Sequence, residues 1–278
     1  MRRALLGTLL LGTLLLVAAA RDLTPPTVSC PPGAFTTALR RLATHLRPNT
    51  VPRAGGLATL ATHYRTRYAS PCRPYNFPNQ PHNASWPTST LNTRKKLMLG
   101  LGEGTTGTRF LHCVARRLGL AALHDMQRPR RFTTRVFDGR ALVLDSPVPY
   151  LVRPLLEAHV STQLGTFLTV RDPWDWHRKR SKHKNNANWS AAGACKGRAT
   201  KLGAPDAGVL VPRDLLVFFA WTLCATQERG LACPVLNLFD DRSPGQRASK
   251  TRFLGVLADA GHAFDAAALD RAWAACHA

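Results

Sequence analysis

Apolar positions fall into short runs separated by Gly-, Pro- and charge-rich breaks, and from residue 96 onward the runs alternate in period. Residues 96–101 form a short apolar run that predicts a strand. Residues 108–118 carry Phe110, Leu111, Val114 and Leu118 at helical spacing. The same reading predicts strands over 141–144, 166–170 and 234–239. It predicts helices over 149–159, 174–184 and 213–228, then near 247–259 and 266–276. Strands alternating with helices predict an α/β, three-layer fold: a mostly parallel sheet with helices on both faces. In such sheets ligands bind beyond the carboxyl ends of the strands. Chemistry is therefore expected just after Leu101, Leu144, Val170 and Phe239.

The first 94 residues differ. Arg2 and Arg3 precede an apolar run, 4–20, that ends in three alanines before Arg21. A basic start, an apolar middle and a small-residue exit describe a secretory signal. As a helix the run would cover about 25 Å, so it is read as either a cleaved peptide or a short signal anchor. Residues 21–94 are rich in Pro, Thr and Asn and predict an irregular stem and cap with one helix over 34–46. The expected organisation is thus a signal or anchor (1–20), a Pro-rich stem and cap (21–94) and one catalytic-type domain (95–278).

Charge and cysteines sharpen the compartment more than the activity. Lys plus Arg number 38 against 16 Asp plus Glu, a net charge of +22. Such a surface suits polyanionic partners, although a chain rich in Arg, Ala, Gly and Pro also carries that bias from composition alone. Asn83-Ala84-Ser85 and Asn188-Trp189-Ser190 are glycosylation sequons. In an oxidising lumen some of the seven cysteines should pair. Cys30 with Cys72 is one expected staple of the cap, and Cys113 reads as a small core residue. No Cys/His spacing reads as a metal site.

Two segments carry the chemistry. The first is Gly100-Leu-Gly-Glu-Gly-Thr-Thr-Gly-Thr108, between a strand and a helix. Its glycines let successive N–H groups converge, and the helix start adds positive potential, a geometry that cradles phosphate or phosphosulfate. Gly102 and Gly107 have the spacing of a triphosphate-binding loop, but Thr108-Arg109 stands where Lys-Ser/Thr is required, which disfavours triphosphate hydrolysis. The bland alternative is an ordinary Gly-rich turn. The second segment begins Arg171-Asp172-Pro173 and runs into a basic helix. Pro173 suits a helix start and Asp172 its cap. Arg171 then sits at the sheet edge with a fork suited to phosphate oxygens. Arg178, Arg180, Lys182 and Lys184 read as a solvated face.

Together these segments resemble the sulfotransferase family, which has a Gly/Thr-rich loop after its first strand and an Arg-Asp-Pro turn after its third. The likeness covers roughly residues 96–257. It includes Asp145-Ser-Pro after the second predicted strand, Val235-Leu-Asn-Leu-Phe239 and Phe253-Leu-Gly255. It implies a P-loop-type nucleotide-binding fold and the donor 3′-phosphoadenosine-5′-phosphosulfate, with no metal. Gly102, Gly104, Thr105, Thr106, Gly107, Thr108 and Arg109 would bind the 5′ phosphosulfate, and Arg171, Lys179 and Ser181 the 3′-phosphate. The implied acceptor is a hydroxyl or amine of an acidic or neutral glycan or glycoprotein, with no nucleic-acid partner. The implied setting is the Golgi lumen on a single-pass anchor, or secretion after cleavage. The chain departs from the pattern at two points. It has Glu103 and no cation before Arg109 where many members have a basic loop residue. It has Lys179 where many have a serine, Ser181 lying two residues on. For the catalytic base, Asp145 is the first candidate, with helix capping as its alternative reading. His112 and His159 are helical and read first as structural. Two other readings stay open: a small-molecule or nucleoside kinase, and an inactive relative that binds acidic glycans.

Overall fold

A computed structural model describes residues 30–48, 50, 95–124, 137, 139–145, 148, 152, 155–156, 164–181, 207–240 and 245–277. The N-terminal apolar run, both sequons, Cys72, Cys195 and His159 lie outside the described residues. Among those described, no helix is long and apolar enough to cross a membrane.

The order of elements is α1 (Pro32–Ala43), β1 (Leu97–Gly100), α2 (Thr108–Arg117), β2 (Ala122–His124) and β3 (Leu142–Leu144). Then follow β4 (Leu164–Val170), α3 (Pro173–Ser181), α4 (Ala207–Glu228), β5 (Val235–Asn237), α5 (Gly245–Asp259) and α6 (Ala266–His277). The five strands form one parallel sheet in the order β2-β3-β1-β4-β5. All seven residues of β4 are buried, as a continuous apolar strand covered on both faces must be.

Two apolar cores flank the sheet and make the three layers. On one face Leu111 and Val114 of α2, Phe253 and Leu257 of α5, and Leu269 and Trp273 of α6 pack against Met98, Leu142 and Phe167. On the other, Phe35, Leu39 and Leu42 of α1, Trp176 of α3 and the 215–225 stretch of α4 pack against Leu99, Val143 and Leu168. The α/β architecture read from the sequence is therefore the observed one. The helix expected in the cap is α1. It shares a core with α4 and β4, so chain on both sides of residue 95 builds the same layer.

Three sequence readings are corrected. The sequence indicated four strands, and the structure adds a fifth, β2. This strand has three residues and follows α2 almost directly, too short to show a period. Cys30 bonds Cys224, not Cys72, because α1 lies on α4 and brings the two Cα atoms to 5.7 Å. Cys113 is not a plain core thiol: it bonds Cys276, because α2 lies beside α6. The one free cysteine among the described residues is the buried Cys233, whose thiol burial pushes up to about 11.

Candidate functional site

The loop between β1 and α2 crosses the carboxyl edge of the sheet so closely that side chains are excluded. A Cβ on Gly102 would lie 1.9 Å from Thr169 Oγ1 and 2.4 Å from the Thr169 carbonyl. The turn then needs left-handed backbone at Thr105 (φ 68°) and Gly107 (φ 99°). The Thr106 hydroxyl donates to the Glu103 carbonyl at 2.5 Å and lies 2.7 Å from Thr169 Oγ1. Its single proton is thereby used, so the Thr169 hydroxyl donates to it. These two buried threonines fasten the loop to β4. The Trp176 indole N–H fastens it from α3, donating 2.7 Å to the Gly104 carbonyl.

What remains is a set of polar atoms at the mouth of this loop. No side chain caps α2, whose N-cap is Gly107, so the first amides of that helix keep their positive end toward the loop. Thr105 Oγ1 and Arg171 Nε are buried and have no hydrogen-bond partner among the described residues. Arg171 leaves the end of β4, and its Nη1 donates across 3.4 Å to the Thr105 carbonyl. Its guanidinium carbon stands 4.0 Å from the centroid of the Phe239 ring, just past β5. Burial, then Arg178 and Arg47, depress its pKa below the ordinary value, while Asp172 opposes them. Three guanidiniums thus raise the positive potential here, and an anion would relieve it. Glu103 is buried in the same loop, 4% exposed.

On the other side of the loop a second cluster forms from three elements. Thr108 begins α2, His124 ends β2, and Asp145 follows β3 in left-handed backbone (φ 63°). The Thr108 hydroxyl donates 3.3 Å to Asp145 Oδ2. His124 Nε2 lies 3.1 Å from that hydroxyl oxygen and 3.4 Å from the same carboxylate oxygen. Because Thr108 gives its proton to Asp145, His124 Nε2 is the donor in this network. Backbone pairing sets the contact: His124 is in register with Leu144, the residue before Asp145.

The expected site residues separate. Gly102, Gly104, Thr105, Thr106, Gly107, Thr108 and Arg171 come together at one edge, and Asp145 joins them through Thr108. Arg109 and Lys179 are exposed on their helices, and Ser181 ends α3. His112 stands one turn into α2, its Nε2 3.3 Å from the Ala122 carbonyl and its ring centroid 5.6 Å from that of His124. Burial, then proximity to His124, lowers its pKa below the ordinary histidine value. His124, Thr169 and Trp176 escaped the sequence reading, which named Phe239 only as the end of a strand. The only local signal for His124 was its place at the end of a short Ala/Leu run after a helix. Among the described residues no group of three or more His, Cys, Asp or Glu could hold a metal ion.

In comparison with known proteins, no family model, no curated protein and no solved structure matches the chain.

Proposed function

We propose that the protein is a sulfotransferase of P-loop type, moving a sulfuryl group from 3′-phosphoadenosine-5′-phosphosulfate to a hydroxyl or amine of a glycan or glycoprotein in the secretory pathway. The observation that carries this reading is the joining of the Gly/Thr loop to Arg171 across the ends of β1 and β4. The buried, unpartnered atoms Thr105 Oγ1 and Arg171 Nε fit a phosphorylated ligand, because each lacks the acceptor that such a ligand brings. The strand order adds support, since β1 is central and its loop opens where the chain changes direction in the sheet. The two disulfides suit an oxidising lumen.

The donor, when bound, supplies the sulfuryl group. Residues 104–108 bind its 5′ end through loop amides, the start of α2 and the Thr105 hydroxyl. Arg171 holds its 3′-phosphate. In this reading His124 takes the acceptor's proton as adenosine 3′,5′-bisphosphate leaves, and Asp145, 3.4 Å from Nε2, orients the ring and stabilises the imidazolium. On the same reading Asp145, the first candidate for the base, acts through His124.

The buried Glu103 favours a second reading, a catalytically silent relative that binds acidic glycans, since it brings a carboxyl into a loop meant for anions. Thermal unfolding of the purified full chain separates the two. A ligand that binds only the folded state at 100 times its Kd stabilises it by about 2.7 kcal/mol. Adenosine 3′,5′-bisphosphate should raise Tm, adenosine triphosphate should raise it less, and Arg171→Ala should abolish the rise. No rise with the bisphosphate overturns the donor assignment. A rise with triphosphate alone points to a kinase.

A further inference from the structure

One short stretch of chain, running from the end of β4 into α3, holds two consecutive carbonyls of the Gly/Thr loop. The Trp176 indole N–H donates 2.7 Å to the Gly104 carbonyl, and Arg171 Nη1 donates 3.4 Å to the Thr105 carbonyl. The start of α3 fixes where the indole stands. Asp172 Oδ1 accepts from the amides of Trp174 and Asp175, and the Trp176 amide donates 2.8 Å to the Asp172 carbonyl. The Trp176 ring is 1% exposed and packs in the core shared with α1 and α4.

A trans peptide is planar, and its C=O and N–H point in opposite directions. Holding the Gly104 carbonyl on Trp176 therefore turns the Thr105 N–H away from α3. Holding the Thr105 carbonyl on Arg171 turns the Thr106 N–H the other way, where it donates 3.2 Å to the Glu103 carbonyl and closes the turn. The Thr106 amide is thus used inside the loop. The Thr105 amide makes no hydrogen bond to a described residue, and neither does the buried Thr105 hydroxyl. The orientation is also one that the local chain resists. A turnover of the 104–105 peptide changes only Gly104 ψ and Thr105 φ. Glycine tolerates either ψ, and Thr105 would leave its left-handed φ of 68° for the ordinary negative side that a β-branched residue prefers. Something beyond the local chain has to hold the peptide as it stands, and the indole N–H is the donor on its carbonyl.

We propose that Trp176 is a positioning residue for the anion site: its N–H keeps the Gly104–Thr105 peptide in the orientation that aims the Thr105 amide at phosphate or sulfate oxygens of the ligand. Thr105 then offers two donors, its N–H and its hydroxyl, from one left-handed residue, as in other anion-binding concavities built from successive backbone N–H groups. The segment after β4 serves the site twice, once through Arg171 and once through an indole that touches no ligand. This deepens the function proposed above. It rests on the loop being an anion site, and not on sulfuryl transfer.

The test uses the full chain and two probes, adenosine 3′,5′-bisphosphate and inorganic pyrophosphate, titrated by calorimetry. Trp176→Phe keeps a buried ring and removes the donor. Benzothienylalanine incorporated at the same position keeps the whole bicyclic shape and puts sulfur where the N–H stands. Both forms should bind both probes about 10-fold more weakly, as when the competent orientation falls to about one tenth of the population. Leu39→Ala, which opens a cavity on α1 in the same core, should lower Tm yet keep both affinities within about 2-fold. In proton–nitrogen spectra of the protein without ligand, the Thr105 amide signal should move in the benzothienylalanine form and stay in place in Leu39→Ala. Unchanged affinities in both Trp176 forms overturn the role whatever happens to Tm, and so does an equal loss in Leu39→Ala; if the parent binds the bisphosphate in either case, the donor assignment stands. A parent that binds pyrophosphate and not the bisphosphate ends the donor assignment, and the role of Trp176 is then decided on pyrophosphate. A parent that binds neither shows that the loop is not an anion site, and both readings fall.

Discussion

Arg171 lies over the ring of Phe239, its guanidinium carbon 4.0 Å from the ring centroid, while the same guanidinium reaches back to the Thr105 carbonyl. The ring holds the fork from one side and the loop from the other. A side chain with many rotamers is thereby fixed before any ligand arrives, which removes part of the entropy cost of binding.

Phe239→Ala should therefore weaken binding of adenosine 3′,5′-bisphosphate without touching its phosphates. A cation–π contact is worth about 0.5–2 kcal/mol, so the loss should be about 2- to 30-fold in Kd. Phe239 is 42% exposed, so Tm without ligand should change little. Titration calorimetry on both proteins checks this.

Thr105 has φ 68° and a buried hydroxyl without a partner, a costly backbone and a costly side chain at once. Thr105→Gly should relieve both, although the more flexible unfolded chain offsets part of the gain. The expected outcome is a free-state Tm equal to or above that of the parent, with several-fold weaker bisphosphate binding. A fall in Tm with unchanged affinity would mean that the residue serves the fold rather than the ligand.

The roles of His124 and Asp145 can be separated by rate. His124→Ala and Asp145→Asn should each lower turnover by about 10²–10⁴, while the Tm rise with the bisphosphate persists in both. Asp145→Asn still accepts from Thr108 but no longer stabilises a charged ring. Loss of donor binding in either variant would assign the pair to the binding site instead.

Acid stability should report His112. Its folded pKa is lowered below the ordinary value near 6.5, so the unfolded chain takes up a proton first as pH falls. The contribution is present above about pH 6.5 and is lost as pH falls through the lower, folded value. The His112→Gln variant should therefore show a smaller drop in unfolding free energy between pH 7 and pH 5 than the parent, measured by urea titration.

The disulfide Cys113–Cys276 closes 163 residues and ties α2, which starts at the loop, to the last helix. Replacing both with Ser should cost about 2–5 kcal/mol, on the order of 10 °C in Tm. Reductant should lower the Tm of the double variant further, through Cys30–Cys224.

Much of the architecture was legible where an element carries its own apolar pattern. The α2 stripe Phe110, Leu111, Val114 and the buried run of β4 need no partner to be recognised. The loop was legible for a similar reason, since three glycines between a strand and a helix leave few other conformations. What escaped depends on register and on distance along the chain. β2 is three residues long and carries no period. The contact of His124 with Asp145 exists only because β2 pairs with β3 one residue short of Asp145. The partner of Cys30 lies 194 residues away, and only the packing of α1 on α4 selects it from six candidates. Arg109 and Lys179 looked like ligands by chain position, yet helical phase turns both outward.

Because all five strands point the same way, the two rims of the sheet bear different burdens. At the trailing rim, where the Lys96 amide meets the Ala260 carbonyl, residues serve only to hold the chain together. At the leading rim, five separate parts of the chain arrive, bearing Thr105, His124, Asp145, Arg171 and Phe239. A library of random variants sorted first for solubility and then for ligand capture would sieve the molecule along that line. The first sieve would fix the trailing rim, and the second would write its choices almost wholly on the leading one.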